Sequence, residues 1–394
     1  MDILMVTREL PYPPISGNRI RTFNLIRELS KKHRIKLVSF FYPHNDTADI
    51  KMLKKFCVDI VCVPLSKKQS LLKFLKSCIS NMPYKVMCYR SKIMAEKIKE
   101  LVSENKFKVV HFDDYFFAQY LDDGFSAPVV MTAHNAEFML IKRYEETRGN
   151  IIQRIYGWTQ SAKLKHFEIN GFAKADKVVT VSHIDRKIFL NEKKELNISV
   201  VDNGVDTEHF MIGKEQPANV LLFTGSMSRY PNVNAVVYFA EEIFPLIKAK
   251  KPFLKFVIAG RSPLRKVKQL ANKDKSIIVT GRVDDIREYI SKCLIYVCPL
   301  RIGGGSHLKV LEAMAMGRPV VSTSVGCEGL KIIDGRDFLR ADTPIDFANM
   351  VFELLDNYDL REKIVRNARK LMEEKYDWKI CADKLEAVYE EVAK

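Results

Sequence analysis

The chain has 394 residues, 47 % of them hydrophobic and 28 % charged, an ordinary balance for a globular protein and too long for one typical domain. No run of about 18 uncharged apolar residues occurs, and the opening MDILMVTREL lacks the basic start and apolar core of a signal peptide, so a cytoplasmic protein without a membrane span is expected. Sixty-four Lys and Arg against 48 Asp and Glu leave a formal charge of +16, while the eight cysteines, without C-x-x-C spacing, read as reduced core residues and not as disulfides or zinc ligands.

Apolar or β-branched runs at residues 3–7, 35–41, 60–63, 109–112, 129–132, 178–181 and 200–201 predict strands, with helical patterns between most of them. Continuous apolar strands separated by helices indicate a parallel sheet covered on both faces. Ligands of such sheets bind at the carboxyl ends of the strands. Two stretches fall there: PYPPISGNRIRTF after the first strand, with Gly17, Arg19 and Arg21, and TAHNAE after the fifth, with His134, Asn135 and Glu137.

Much of the positive charge is local, because residues 51–108 hold 14 Lys/Arg and 4 Asp/Glu. Within them, KKQSLLKFLKSCISNMPYKV (67–86) spaces Leu71, Leu72, Phe74, Leu75 and Ile79 at roughly helical intervals among lysines. Two readings stand: a helix lying on an anionic membrane surface, or a core-facing amphipathic helix with a solvated basic side. No Cys/His finger, RNP-type aromatic motif or basic heptad array accompanies the patch, so nucleic acid is not an expected partner.

Residues 202–219, DNGVDTEHFMIGKEQPAN, are polar and turn-rich and mark a junction. Beyond it NVLLFTGS, LKFVIAG, SIIVTG, LIYVCP and PVVSTS again alternate with helical patterns. The chain therefore reads as α/β, a first doubly wound domain at 1–205, a linker at 206–218, a second domain at 219–375 and a closing helical segment at 376–394. Two Rossmann-like domains facing across a cleft is the expected architecture.

The stretch PLRIGGGSHLKVLEAMAMGRPVV (299–321) sets Gly303, Gly304 and Gly305 between a strand and a helix. Bare backbone N–H groups and the positive end of a helix suit a phosphate, although a tight turn alone would also want glycines. Ser306, Lys309 and Glu312 recur every three residues, which predicts one side of that helix.

With FTGSMSRYPNVNAVVYFAEEI and VTGRVDDIREYISKCLIYVCPL, this stretch resembles the nucleotide-sugar domain of the retaining GT-B glycosyltransferases of family 4 (glycosyl transferases group 1). PYPPISGNRIRTFNLIREL, TAHNAE and VVDNGVD extend the resemblance, in order, over nearly the whole chain. It implies transfer of a sugar from a nucleotide-sugar donor to a hydroxyl of a saccharide or lipid-linked acceptor, with retention, in cell-envelope or exopolysaccharide synthesis. No metal and no cofactor are implied, since the nucleotide-sugar is a co-substrate. The protein would be cytoplasmic, or peripheral on the inner face of the cell membrane, with its last helix, near Trp378, packed back on the N-terminal domain.

The resemblance also assigns roles. Glu312 would accept the donor ribose hydroxyls, Lys309 would meet the departing diphosphate, and Gly303, Gly304, Gly305 and Ser306 would bind it through backbone. Gly17 matches the family's glycine loop, and His134 its histidine beside the transferred sugar. Arg19 and Arg21 would meet acidic groups of an acceptor, with Asn135 and Glu137 as neighbours. Two departures stand out. Gly304 occupies the place of a second glutamate; counted from Gly225, a donor-site glycine, Ser226 and Pro231 replace the usual arginine and lysine. Arg229, Arg301 and Lys309 are the candidate substitutes. Asp113–Asp114 and Asp284–Asp285 read as caps and not as a metal motif. A catalytically silent scaffold of the same fold and a sugar-nucleotide epimerase are the alternatives; donor base, sugar, acceptor, linkage and oligomeric state stay open.

Overall fold

The structure, a computed structural model, describes residues 1–42, 47–65, 70–104, 106–121, 125–146, 151–213 and 217–394. Residues 67–69 of the expected basic helix and 214–216 of the expected linker lie outside the described residues. The chain divides into two compact units, Met1–Asn203 with Trp378–Lys394, and Gly204–Asp377.

The first unit is built on seven parallel strands: β1 (Asp2–Thr7), β2 (Arg34–Phe41), β3 (Asp59–Pro64), β4 (Val109–Phe112), β5 (Val129–Ala133), β6 (Lys177–Thr180) and β7 (Ile198–Val200). Their order is β3-β2-β1-β4-β5-β6-β7, so the winding reverses between β1 and β4. Helices cover both faces, which is why β4 and β6 are buried at every residue, His111, Lys177 and Thr180 included. The seventh strand ends at Val200, short of the expected 200–201, and Val201 only donates one backbone bond to Thr180.

The last helix, Trp378–Val392, completes this first unit by packing on the helix Gly17–Leu29. Its inward face sets Trp378, Cys381, Leu385 and Tyr389 in the core. Polar ties hold it as well: Lys384 Nζ donates to Asp202 Oδ2 at 2.8 Å, and the Tyr389 hydroxyl lies 2.5 Å from His111 Nδ1. His111 Nε2 lies 2.7 Å from Thr132 Oγ1, so both ring nitrogens are satisfied inside the core.

The second unit has six parallel strands: β8 (Val220–Thr224), β9 (Lys255–Ala259), β10 (Ile277–Gly281), β11 (Ile295–Cys298), β12 (Val320–Ser322) and β13 (Leu339–Arg340). Their order, β10-β9-β8-β11-β12-β13, reverses between β8 and β11. Five of these strands are expected from the sequence; β13, at two residues, is too short to leave a pattern. None of the eight cysteines forms a disulfide, and only Cys78 is exposed. Among the described residues, no helix is long and apolar enough to cross a membrane.

Candidate functional site

In the second unit the polar groups gather where β8 and β11 end. Thr224 closes β8, and its Oγ1 and N–H lie 2.7 and 3.3 Å from the Tyr296 hydroxyl, so the strand end is fixed from beneath. Gly225 follows with φ +151°. Asn232, in the first turn of the helix Tyr230–Tyr238, donates to Ser226 O at 3.0 Å and accepts from Lys309 Nζ at 2.7 Å. A Cβ on Gly225 would stand 2.8 Å from Asn232 Nδ2 and 2.9 Å from Lys309 Nζ. Glycine is therefore required by both conformation and space.

The helix Leu308–Ala315 buries Val310, Leu311, Ala313, Met314 and Ala315. Its remaining edge carries Lys309 and Glu312, three residues apart and both half-buried. Its N-cap is His307, in extended backbone, so Ser306 lies ahead of the helix. The expected line of three residues is thus corrected to two, because the loop unwinds one residue before it could bring Ser306 into the first turn. Gly305 lies in that loop with φ +70°, a left-handed conformation that glycine adopts without penalty.

Lys309 Nζ sits 4.1 Å from the centre of the Phe223 ring. Burial pushes its pKa down to about 8, against the pull of Cys298 and Glu312. Burial likewise pushes Glu312 up to about 7, against the pull of Lys309. Among the described residues the Glu312 carboxylate takes no hydrogen bond and forms no ion pair with Lys309. A desolvated acid and a desolvated cation, side by side and incompletely satisfied, are what a polar ligand would complete.

The other candidate cations lie elsewhere in the unit. Arg229 is exposed at the N-cap of the helix Tyr230–Tyr238. Arg301 stacks 4.0 Å over Tyr238, donates to Asn234 Oδ1 at 3.2 Å, and stands 3.8 Å from Glu242. Of the three, Lys309 is the one whose side chain is tied to the Gly225–Ser226 turn, through Asn232; Arg229 meets the turn with its backbone N–H, which donates to Ser226 O at 3.1 Å. Gly303 packs beside His307, whose Nε2 has no partner among the described residues. Sequence reasoning passed over Asn232; the only available signal was an asparagine in the first turn of that helix.

In the first unit the ends of β1, β4 and β5 carry the polar groups. His134, directly after β5, has Nε2 2.8 Å from Asp113 O. A carbonyl only accepts, so Nε2 carries a proton and donates it here. The Asp113 carboxylate lies 3.5 Å from the same Nε2 and accepts from Thr22 Oγ1 on the helix Gly17–Leu29. Asp113 thus ties the histidine to that helix and caps nothing, which corrects one of the expected caps. Asp114 does cap, accepting from Phe116 N, and pairs with Arg8 at 3.2 Å.

Asn135 donates to Glu137 at 3.3 Å, and Glu137 pairs with Lys85 at 3.2 Å. Burial works to raise the Glu137 pKa, but Lys85, Arg8 and Asn135 together hold it below the usual value. Arg19 donates to Glu9 at 2.8 Å, and Gly17 is exposed at the first position of its helix. Arg21, expected toward an acceptor, is instead 1 % exposed. It donates to Asp202 O at 2.8 Å and to Asn203 Oδ1 at 3.0 Å, because helical spacing turns it inward while Arg19 stays near the surface. Among the described residues no cluster of three or more His, Cys, Asp or Glu is arranged to hold a metal ion.

Residues 15–209 match the domain described as Glycosyltransferase Family 4, and residues 218–357 the domain described as Glycosyl transferases group 1. An uncharacterized glycosyltransferase of Methanocaldococcus jannaschii is 26 % identical over 407 aligned positions, covering 100 % of this chain and 99 % of that protein. Phosphatidyl-myo-inositol mannosyltransferase of Mycobacterium tuberculosis is 25 % identical over 207 positions, 49 % of this chain and 54 % of that protein. The crystal structure of Anabaena HepE in complex with UDP and glucose matches with a TM-score of 0.69 at 12 % identity, over 99 % of this chain and 100 % of that one. Two doubly wound parallel sheets in this order are the GT-B fold of glycosyltransferases. Within that class, the chain belongs to the family 4, group 1 glycosyltransferases.

Proposed function

We propose that the protein moves a sugar from a nucleotide-sugar donor to a hydroxyl of a saccharide or lipid-linked acceptor, with retention of anomeric configuration, in cell-envelope or exopolysaccharide synthesis. The observation that carries this reading is the pairing of Lys309 and Glu312 on one helix edge, each desolvated and without an ion pair between them. Glu312 would accept two vicinal ribose hydroxyls. Lys309, steered by Asn232, would take the charge of the departing diphosphate together with backbone N–H groups of residues 304–306. These donors are fixed before the leaving group develops its charge, and this is where the rate gain would arise. No metal is part of this mechanism.

In the first unit, His134 would offer Nδ1 to a hydroxyl of the transferred sugar, held in orientation by Asp113. The acceptor class is supported by the named lipid acceptor of the mycobacterial relative and by the basic first unit. A catalytically silent scaffold is the second reading, favoured by Gly304, Ser226 and Pro231 in place of the family's charged residues. Calorimetry with UDP-, GDP-, ADP- and TDP-sugars, with and without EDTA, separates the two. One donor should bind selectively and turn over with acceptor in EDTA, and lose affinity on Glu312→Ala. Silence toward every donor would leave the scaffold reading standing.

A further inference from the structure

Two touching helices of the first unit leave large apolar side chains in water. The helix Leu71–Ile79 turns Phe74 and Ser77 inward: the Phe74 ring lies 5.9 Å from Tyr84 and 5.3 Å from Tyr156, and Lys163 Nζ donates to Ser77 O at 2.6 Å. Leu71, Leu72, Leu75 and Ile79 are left 53–89 % exposed. The helix they lie beside, Ile151–Phe172, buries Gly157, Gln160, Ser161 and Leu164. Its opposite edge sets Ile151, Ile152, Ile155 and Trp158 out at 56–72 % exposure. A helix facing only water carries polar residues at such positions.

The charge carried within the stripes themselves is positive, although Lys85 pairs with Glu137 and Lys165 with Glu192 from neighbouring helices. Residues 70–95 contain five Lys/Arg and no Asp/Glu, and residues 151–167 contain three and none. Lys76 and Arg154 are exposed within the two stripes, with Lys73 half-buried beside them. We propose that this two-helix surface docks the protein on an anionic lipid bilayer, with the eight apolar side chains entering the headgroup–acyl boundary and the cations meeting acidic headgroups. The choice of occupant follows from charge. A second copy seated on the same face would set these cations against one another, whereas an anionic bilayer offers both the apolar depth and the opposite charge. The Leu71–Ile79 half corresponds to the stretch read as amphipathic in the sequence. The Ile151–Trp158 half shows only in the structure, and the proposal does not rest on the donor reading.

The protein carries its own reporter. It has two tryptophans: Trp158 is 68 % exposed on the surface in question, and Trp378 is 1 % exposed in the core. Titration with vesicles of phosphatidylcholine and phosphatidylglycerol should shift the emission to the blue and carry the protein into the pellet. Phosphatidylcholine alone should do neither, and added salt should reverse both effects. Trp158→Phe should abolish the shift while leaving most of the sedimentation. Lys76→Gln and Arg154→Gln should each lower the partition coefficient about fivefold, and Leu72→Ser with Ile155→Ser about tenfold or more. All these side chains are exposed, so melting temperature should be unchanged and serves as the folding control. Absence of shift and sedimentation with anionic vesicles overturns the proposal. Equal binding to neutral vesicles overturns its electrostatic half. A blue shift that grows with protein concentration alone, with dimers in sedimentation velocity, assigns the surface to a second copy instead.

Discussion

Lys309 and Glu312 lie three residues apart on one helix, yet Lys309 Nζ hydrogen-bonds to Asn232 at 2.7 Å and leaves the Glu312 carboxylate without a hydrogen bond among the described residues. Each charge is held in partial desolvation and offered separately, one toward a diphosphate and one toward hydroxyls. A salt bridge between them would have cancelled both.

The first consequence is a pH window for donor binding. Glu312 ionises above about 7 and Lys309 stays charged below about 8, so affinity should fall as pH drops through the first value and as it climbs through the second. Bound diphosphate raises the Lys309 pKa, moving the alkaline limb upward in the complex. Calorimetry of one nucleotide-sugar across this range measures it, and a flat profile would contradict these roles.

Glu312→Gln should separate stability from binding. The folded-state pKa of Glu312 is raised from 4.5 to about 7, so its ionised form costs stability that accrues between those values and is complete above the upper one. The variant should therefore gain about 1–2 kcal/mol at alkaline pH and almost nothing near pH 4.5, while donor affinity drops about tenfold. Chemical denaturation at the two pH values provides the check.

Gly225→Ala and Gly260→Ala should behave differently. A Cβ at 225 meets the side-chain ends of Asn232 and Lys309 at 2.8 and 2.9 Å, which can swing aside, whereas one at 260 falls 1.8 Å from the backbone oxygen of Gly225. We expect the 225 variant to fold, with about 1–2 kcal/mol lost and donor binding impaired. The 260 variant should lose several times more; equal melting temperatures would refute the assignment.

His134→Ala should lower turnover about a hundredfold and leave affinity for the bare nucleoside diphosphate unchanged, because His134 belongs to the first unit and the diphosphate groups to the second. A parallel loss of nucleotide affinity would argue against this division of labour.

Tyr389→Phe strips His111 Nδ1 of its partner inside the core, which should cost about 1–3 kcal/mol. Burial lowers the His111 pKa from 6.5 to about 4, so in the wild type its contribution is complete above the upper value and is lost as pH falls toward the lower. Denaturation curves of both proteins across that interval test the size and the direction.

The two sheets were legible because strands buried on both faces print nearly continuous apolar runs, β11 (Ile295–Cys298) most plainly. The donor-side glycines, Lys309 and Glu312 were legible because strand, glycines and helix follow one another without interruption. Asn232 was not, since its importance comes from a partner 77 residues away. Asp113 reads as a cap in the sequence because strand ends favour both roles, and only the fold brings Thr22 and His134 to it. Arg21 and Arg19 looked equivalent in sequence; helical phase sends one into the core and leaves the other beside Glu9.

The first unit is closed by Trp378–Val392, which the ribosome delivers only after all of Gly204–Asp377 has been made. During synthesis the helix Gly17–Leu29 must wait with its docking face uncovered, while the second unit has every residue it needs and can fold ahead of it. A released chain truncated just before Trp378 would therefore hold one complete unit and one with its docking face uncovered, and it should aggregate.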